Sequence, residues 1–403
     1  MSKRHPVQSR TLRILSSAQV VNGVGVSSTI AAGSLLVNSI AHSDAIAGLA
    51  QTMSVLGAAL MAIPLARLTN RGGRRLALLS GYGVAVLGAT TVVVAGAAGW
   101  LVVTLLGILL LGAASATSYQ ARFAALDLAT NDTKSRDLAL VVWGSTVGSV
   151  AGPNLLAPAG HLAHYVGLPK LTGPYVVAAV AITLSVVVVG FFLRPDPYLL
   201  ARDQAGSSQL PRPALRATLR HIVDNHHAAL GASSISIGHL AMVAVMVMTP
   251  VHMKHMDVSL TIIGLVISVH VLGMFAFSPL VGWVADRCGS LRVVQVGVVI
   301  LLSATVVAGL APPMGTTQLM VGLFLLGLGW SCTLIAGSTM LSSGVSDQYR
   351  SSSQGASDLI MNLMGALGGV FGGIVIATLS YSWLCAITAV PVALLGIATL
   401  RRH

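Results

Sequence analysis

Apolar runs of about twenty residues, separated by short polar breaks, recur from one end of the chain to the other. Twelve can be drawn, at about 12–39, 46–66, 77–97, 100–121, 138–160, 173–193, 228–251, 260–284, 293–310, 317–341, 355–378 and 382–400. A helix rises ~1.5 Å per residue, so ~20 apolar residues cover the ~30 Å of a bilayer's hydrocarbon core. The pattern predicts an all-α polytopic membrane protein with twelve transmembrane helices. The first run follows a basic start, MSKRHPVQSRTLR. It has the length of a full span and no clear small-residue cleavage site, so it reads as the first helix rather than a removed signal peptide.

Composition supports this reading. Hydrophobic residues make up 55% of the 403-residue chain and charged residues 8%, with a mean hydropathy of +0.84. A soluble chain carries about a quarter charged residues. The net charge of +12 gains meaning from its placement: 21 of the 23 Lys and Arg fall in loops on the same side as the N-terminus, leaving Lys170 and Lys254 on the other. By the positive-inside rule this predicts a multi-pass cell-membrane protein with both termini in the cytoplasm. Inner-leaflet lipid, not nucleic acid, then accounts for the basicity. The three cysteines, Cys288, Cys332 and Cys385, form no CxxC pair and indicate neither a disulfide framework nor a zinc site.

The longest hydrophilic interval, RPDPYLLARDQAGSSQLPRPALRATLRHIVDNHH, divides the runs six and six. It predicts an N-terminal six-helix bundle over 1–193, a cytoplasmic linker over 194–227 and a C-terminal six-helix bundle over 228–403. The halves repeat weakly. ARLTNRGGRR (66–75) follows the second run and GWVADRCGSL (282–291) the eighth. Each places Arg two residues before Gly in a tight turn. The fifth and eleventh runs share a four-residue glycine spacing, Gly144, Gly148, Gly152 against Gly365, Gly369, Gly373, which bares one helix face for close packing.

Twelve spans as six plus six, a long central loop and a Gly-x-x-x-Asp-Arg-x-Gly-type turn resemble the major facilitator superfamily over the whole chain. The resemblance implies two bundles that expose a midplane site to each side in turn. It also implies gating loops at Asn70, Arg71 and Gly73 and at Gly282, Asp286, Arg287 and Gly289. The first copy departs from the pattern: Asn70 stands where the family usually has Asp, and Ala66 replaces the leading Gly. The gate contact is thus expected to depend more on the second half. GSTVGSVAGP (144–153) partly resembles the antiporter motif of drug exporters, but Leu156–Ala157 replaces its closing Gly-Gly, and a kinked, tightly packed helix is the plainer reading.

Methionine and histidine gather in one place. Residues 239–274 hold ten of the chain's 26 Met and His. Met242/Met246 in the seventh run and His270/Met274 in the eighth are i, i+4 pairs, each on one helix face. Thioether sulfur and neutral imidazole suit Cu(I), whereas methionine is also ordinary core filler, so the residues alone leave both readings open. MxxxM followed by HxxxM resembles the CcoA-like copper importers, and the segment HVLGMFAFSPLVGWVADRCG resembles that branch beyond the motif. The resemblance implies Met242, Met246, His270 and Met274 as metal ligands, with copper as transported substrate rather than cofactor. VHMKHMD (251–257) supplies His252, Met253, His255 and Met256 as a candidate outer-mouth capture site, with a solvated loop as the plainer alternative.

The chain has no Glu, and its eleven Asp lie almost all in loops. Asp358 is the exception, read either as a proton-coupling carboxylate or as a helix N-terminal Asp favoured by the macrodipole. Arg122 and Asp127 are expected to pair with each other or with Arg136. Asn22, Asn38, Gln51, Tyr119, Asn154 and Asn362 are candidate cavity-lining residues. No Walker loop, Ser/His/Asp set or paired carboxylates point to an enzyme. The expected function is secondary active transport by a monomer, with copper import leading. The alternative is a proton-coupled transporter of a small organic solute, a drug-type exporter or riboflavin-like importer.

Overall fold

The computed structural model describes residues 5–42, 46, 49–204, 213–258, 260–312 and 315–400. The side chains of Asn154 and His255 lie outside the described set. Among the described residues the structure is helical without a strand. Contacts divide the chain into two compact units. One joins the residues up to 130 with 140–212, and the other joins 131–139 with the residues from 213 onward.

In the first unit α1 (Gln8–Ala41) is followed by α2 (Leu49–Ala98), α3 (Leu101–Leu111) and α4 (Ala113–Ala124). Next come α5 (Lys134–Asn154), whose first turn belongs to the second unit, then α6 (Leu156–Tyr165), α7 (Gly173–Phe192) and α8 (Pro197–Gln204). The second unit holds α9 (Leu215–Asp224), α10 (His226–His255), α11 (Leu260–Phe275) and α12 (Ser278–Cys288). It ends with α13 (Ser290–Gly309), α14 (Thr316–Gly344), α15 (Asp347–Thr378) and α16 (Tyr381–Leu400). Ten stretches among the described residues are long and apolar enough to cross a membrane. The twelve runs are recovered because α2 contains two of them, joined at Gly72–Gly73, and the run 138–160 is shared by α5 and α6. Leu87, Val102, Val299, Val370 and Leu394 are each about 60% or more exposed, the outward apolar surface that hydrocarbon covers.

Two boundaries differ from the apolar pattern for a physical reason. The eleventh span begins at Asp347 rather than near 355, because the polar stretch Ser351–Ser357 is helical and largely buried, with Gln354 Nε2 donating to Ser342 Oγ at 3.2 Å. Asp358 is therefore three turns inside α15, and the helix N-terminal reading of it is corrected. The interval expected to be a linker carries α8 and α9. Asp196 caps α8 ahead of Pro197, accepting the N–H of Tyr198 at 3.0 Å and of Leu199 at 3.2 Å, the usual start for a helix with proline in its first position. In α9, Thr218 and Ile222 are buried one turn apart while Arg216 and Arg220 are exposed.

The glycine stripe of α5 packs as its spacing predicts. A Cβ on Gly148 would strike the backbone of Gly23 and one on Gly144 that of Ser16, and Ser27 Oγ crosses the seam to Gly148 O at 2.7 Å. In α15 the register differs. Gly365, Gly368 and Gly372 meet α10, whereas Gly369 makes only ordinary contact and a Cβ on Gly373 would meet nothing within 4 Å.

Candidate transport and gating sites

The two glycine turns are built alike. Gly73 has φ 85° and Gly289 φ 93°, left-handed backbone that favours glycine. Around the first turn, Asp196 accepts the N–H of Arg74 at 3.2 Å and of Arg75 at 2.7 Å. The buried Arg74 guanidinium forms a two-point pair with Asp127, Nε to Oδ2 at 2.8 Å and Nη2 to Oδ1 at 3.0 Å, and donates to Gln120 Oε1 at 3.1 Å. Asp127 thus pairs with Arg74, a partner the sequence pattern did not point to. Arg122 lies over the rings of Phe123 and Tyr119. Asn70 accepts the Tyr198 hydroxyl at 2.9 Å, while Arg71 is exposed.

Near the second turn, Asp286 accepts two backbone N–H groups at the start of α5, Ser135 at 2.8 Å and Arg136 at 2.9 Å. A carboxylate on unpaired helix N-terminal amides is favoured by both hydrogen bonding and the macrodipole. Gly282 permits the approach, since a Cβ there would lie 2.6 Å from Ser135 O. Ser135 Oγ meets Thr339 Oγ1 at 3.1 Å, and Arg287 covers the Trp283 ring at 4.5 Å. Burial, then the nearby Arg350, push the Lys134 ammonium below its ordinary value.

Met242, His270 and Met274 are buried and Met246 is half-buried. The structure does not pack the two pairs face to face. α10 lies mainly on α14 and α15, α11 on α14, and α10 barely touches α11. His270 Nδ1 lies 2.8 Å from Leu323 O; a carbonyl only accepts, so Nδ1 carries a proton, and in the neutral ring Nε2 keeps the lone pair. That Nε2 is buried without a hydrogen-bond partner among the described residues. At the far end of α10, His252 stacks on Tyr381 at 4.4 Å between centroids, Met253 is buried and Met256 half-buried.

The other polar candidates scatter. Gln51 is exposed, Asn38 and Tyr119 half-buried, and Asp358 and Asn362 buried. Asn362 Nδ2 donates to the Asp358 carbonyl at 2.7 Å. Asn22 belongs to a more definite arrangement. Its Nδ2 donates to Ser118 Oγ at 2.7 Å, and Gln19 Nε2 donates to Ser118 O at 3.3 Å. Both carboxamide oxygens remain buried with no partner among the described residues. Sequence reasoning missed Gln19, although it stands one turn before Asn22 in an apolar run. It also missed Trp330, the lone indole midway along α14, whose Nε1 donates to His239 Nδ1 at 3.2 Å.

Residues 15–257 and 231–403 match the family described as Major Facilitator Superfamily. The chain is 35% identical over 381 residues to the uncharacterized MFS-type transporter YdeG of Bacillus subtilis (strain 168), covering 94% of this chain and 88% of that one. It is 28% identical to the riboflavin transporter RfnT of Brucella anthropi, covering 90% of this chain and 88% of that one. The human organic anion transporter MFSD10 (TETRAN) shares the fold, with a TM-score of 0.73 at 14% identity over 98% of this chain and all of that one.

Proposed function

The chain belongs to the Major Facilitator Superfamily, and from that premise we propose that it is a proton-coupled transporter of a small organic solute, working by alternating access. The observation that carries this reading is the pair of buried, unpartnered carboxamide oxygens on Gln19 and Asn22. Burying such an acceptor without a bond costs about 1–3 kcal/mol. Gln19 and Asn22 lie 11 and 14 residues into α1, about 17–21 Å along its axis and well inside its apolar run. Hard amide oxygens suit the N–H and O–H donors of an organic molecule better than they suit copper. The likeness to a riboflavin transporter supports the same substrate class. We further propose a cell-membrane protein that has both termini in the cytoplasm, as its charge distribution predicts, and works as a monomer.

Thermal unfolding of the purified full chain tests this reading. Riboflavin is the first probe, followed by a panel of uncharged and anionic metabolites. A solute that raises the midpoint for wild type but not for Asn22→Leu is the expected result. If no solute stabilises wild type while uptake of each by cells matches the empty vector, the reading is wrong.

A second reading, copper import, is favoured by His270. A ring that donates Nδ1–H to a backbone carbonyl and turns a free Nε2 inward has the tautomer and orientation of a metal ligand. It predicts that cellular copper rises with wild type and not with His270→Leu or Met242→Leu at matched membrane levels. Equal copper in all three sinks it.

A further inference from the structure

We propose that His239 is a proton-binding site of the C-terminal unit, and that the indole N–H of Trp330 is the group its proton displaces. An indole N–H only donates. The 3.2 Å contact between Trp330 Nε1 and His239 Nδ1 therefore requires a lone pair on Nδ1 and a neutral imidazole. When Nδ1 takes a proton, an N–H bond forms from that lone pair and the hydrogen bond from Trp330 is lost. Two donors then face each other, and one ring must turn away.

The surroundings make that displacement consequential. His239 and Trp330 are both more than nine-tenths buried. The imidazole sits against Gly365 of α15, where a Cβ would come 2.7 Å from Cδ2 and 2.8 Å from Nε2. The indole meets Phe275 of α11 edge-on, with centroids 5.7 Å apart. One proton thus acts where α10, α14, α15 and α11 converge. A route to His239 is also marked. Asp358, Asn362 and Gly365 recur at i, i+4 and i+7 on α15, one stripe of that helix, and the buried, unpartnered Ser236 hydroxyl lies one turn before His239 on α10. Asp358 stands about 10 Å along the axis from Gly365, with Asn362 of the same stripe between them, a spacing that polar groups could bridge for a proton. Of the titratable side chains on the two helices that touch the ring, Asp358 of α15 shares the Gly365 stripe. Cys332 of α14 turns to Gly297 of α13 instead.

The inference draws its functional meaning from the proton-coupled reading, but its chemistry can be tested without any solute. The experiment is a pH titration of the full chain, labelled with 15N at tryptophan and reconstituted in lipid nanodiscs, with the Trp330 indole signal assigned by its loss in Trp330→Phe. Between about pH 8 and pH 5, where imidazoles change charge, the Trp330 signal is expected to move as a single-site titration. In His239→Gln, whose amide oxygen accepts the indole N–H but does not titrate, it is expected to stay fixed. Wild type labelled at histidine provides the same test without a variant, because protonation moves the Nδ1 resonance from its lone-pair to its N–H position. A Trp330 signal constant across the range in wild type, or one that still titrates in His239→Gln, overturns the proposal. A titration present in a protein that moves no organic solute overturns the transport reading alone.

Discussion

Asp286 accepts the backbone N–H of Ser135 at 2.8 Å, so a carboxylate from the last turn of α12 anchors the first turn of α5. With Arg136 N–H at 2.9 Å on the other oxygen, the charge lies on the positive end of that helix. Asp286→Asn keeps one acceptor oxygen but removes the charge and the second acceptor. The expected cost is about 1–2 kcal/mol, read as a lower thermal midpoint of the purified protein. Asn70→Asp is the informative companion: it places a charge beside Tyr198 rather than at a helix N-terminus, and no stabilisation is expected. A midpoint unchanged in Asp286→Asn contradicts the anchoring role.

Arg74 and Asp127 form a pair in which both side chains are almost wholly buried. Removing one partner takes the two-point pair from the other buried charge, at a cost of up to about 3–5 kcal/mol. Arg74→Ala is expected to lose most monodisperse protein on size exclusion. Arg74→Met combined with Asp127→Leu is expected to recover part of it, because the buried carboxylate goes with the guanidinium that compensated it. Equal yields from the single and double variants would show that Arg74 acts through Gln120 or Tyr198 instead.

The two glycine stripes offer a paired comparison. Gly148→Ala pushes a methyl into the backbone of α1 at Gly23, and overpacking of this kind costs about 1–3 kcal/mol. Gly373→Ala meets open space and replaces a poor helix former with a good one, gaining up to about 1 kcal/mol. Thermal midpoints are expected to move in opposite directions. Midpoints that fall alike would mean that glycine spacing, rather than local approach, decides tolerance.

Hydrophobic runs made the helices legible because each span must satisfy its backbone internally and face lipid with apolar side chains. They misplaced the start of α15 because hydroxyl-rich residues such as Ser353 and Ser357 are buried inside the unit, where an apolar tally sees a loop. The repeat Arg71–Gly73 and Arg287–Gly289 was readable, since a positive φ selects glycine locally. The partners of those turns were not: Asp196, Tyr198 and the amides of Ser135 and Arg136 are brought in by tertiary packing from far along the chain. The same limit applies to the Met and His pairs. Their i, i+4 spacing fixes a face of each helix, but α14 packs against both helices, which barely touch each other. Gln19 and Trp330 carried no motif, and only their hydrogen bonds single them out.

Asp358 gives a sharp test of energy coupling. It is buried, three turns into α15, where a carboxylate that can shed and regain its proton is costly unless function retains it. Asn is close to it in shape but cannot release a proton. In proteoliposomes, with the solute that best stabilises wild type, Asp358→Asn is expected to abolish uptake driven by a pH gradient while preserving exchange of labelled for unlabelled solute across equal pH. That split separates coupling from binding, because a variant that merely misfolds loses both. Gradient-driven uptake at the wild-type rate in Asp358→Asn would remove this carboxylate from the proton route and leave His239 as the candidate coupling group.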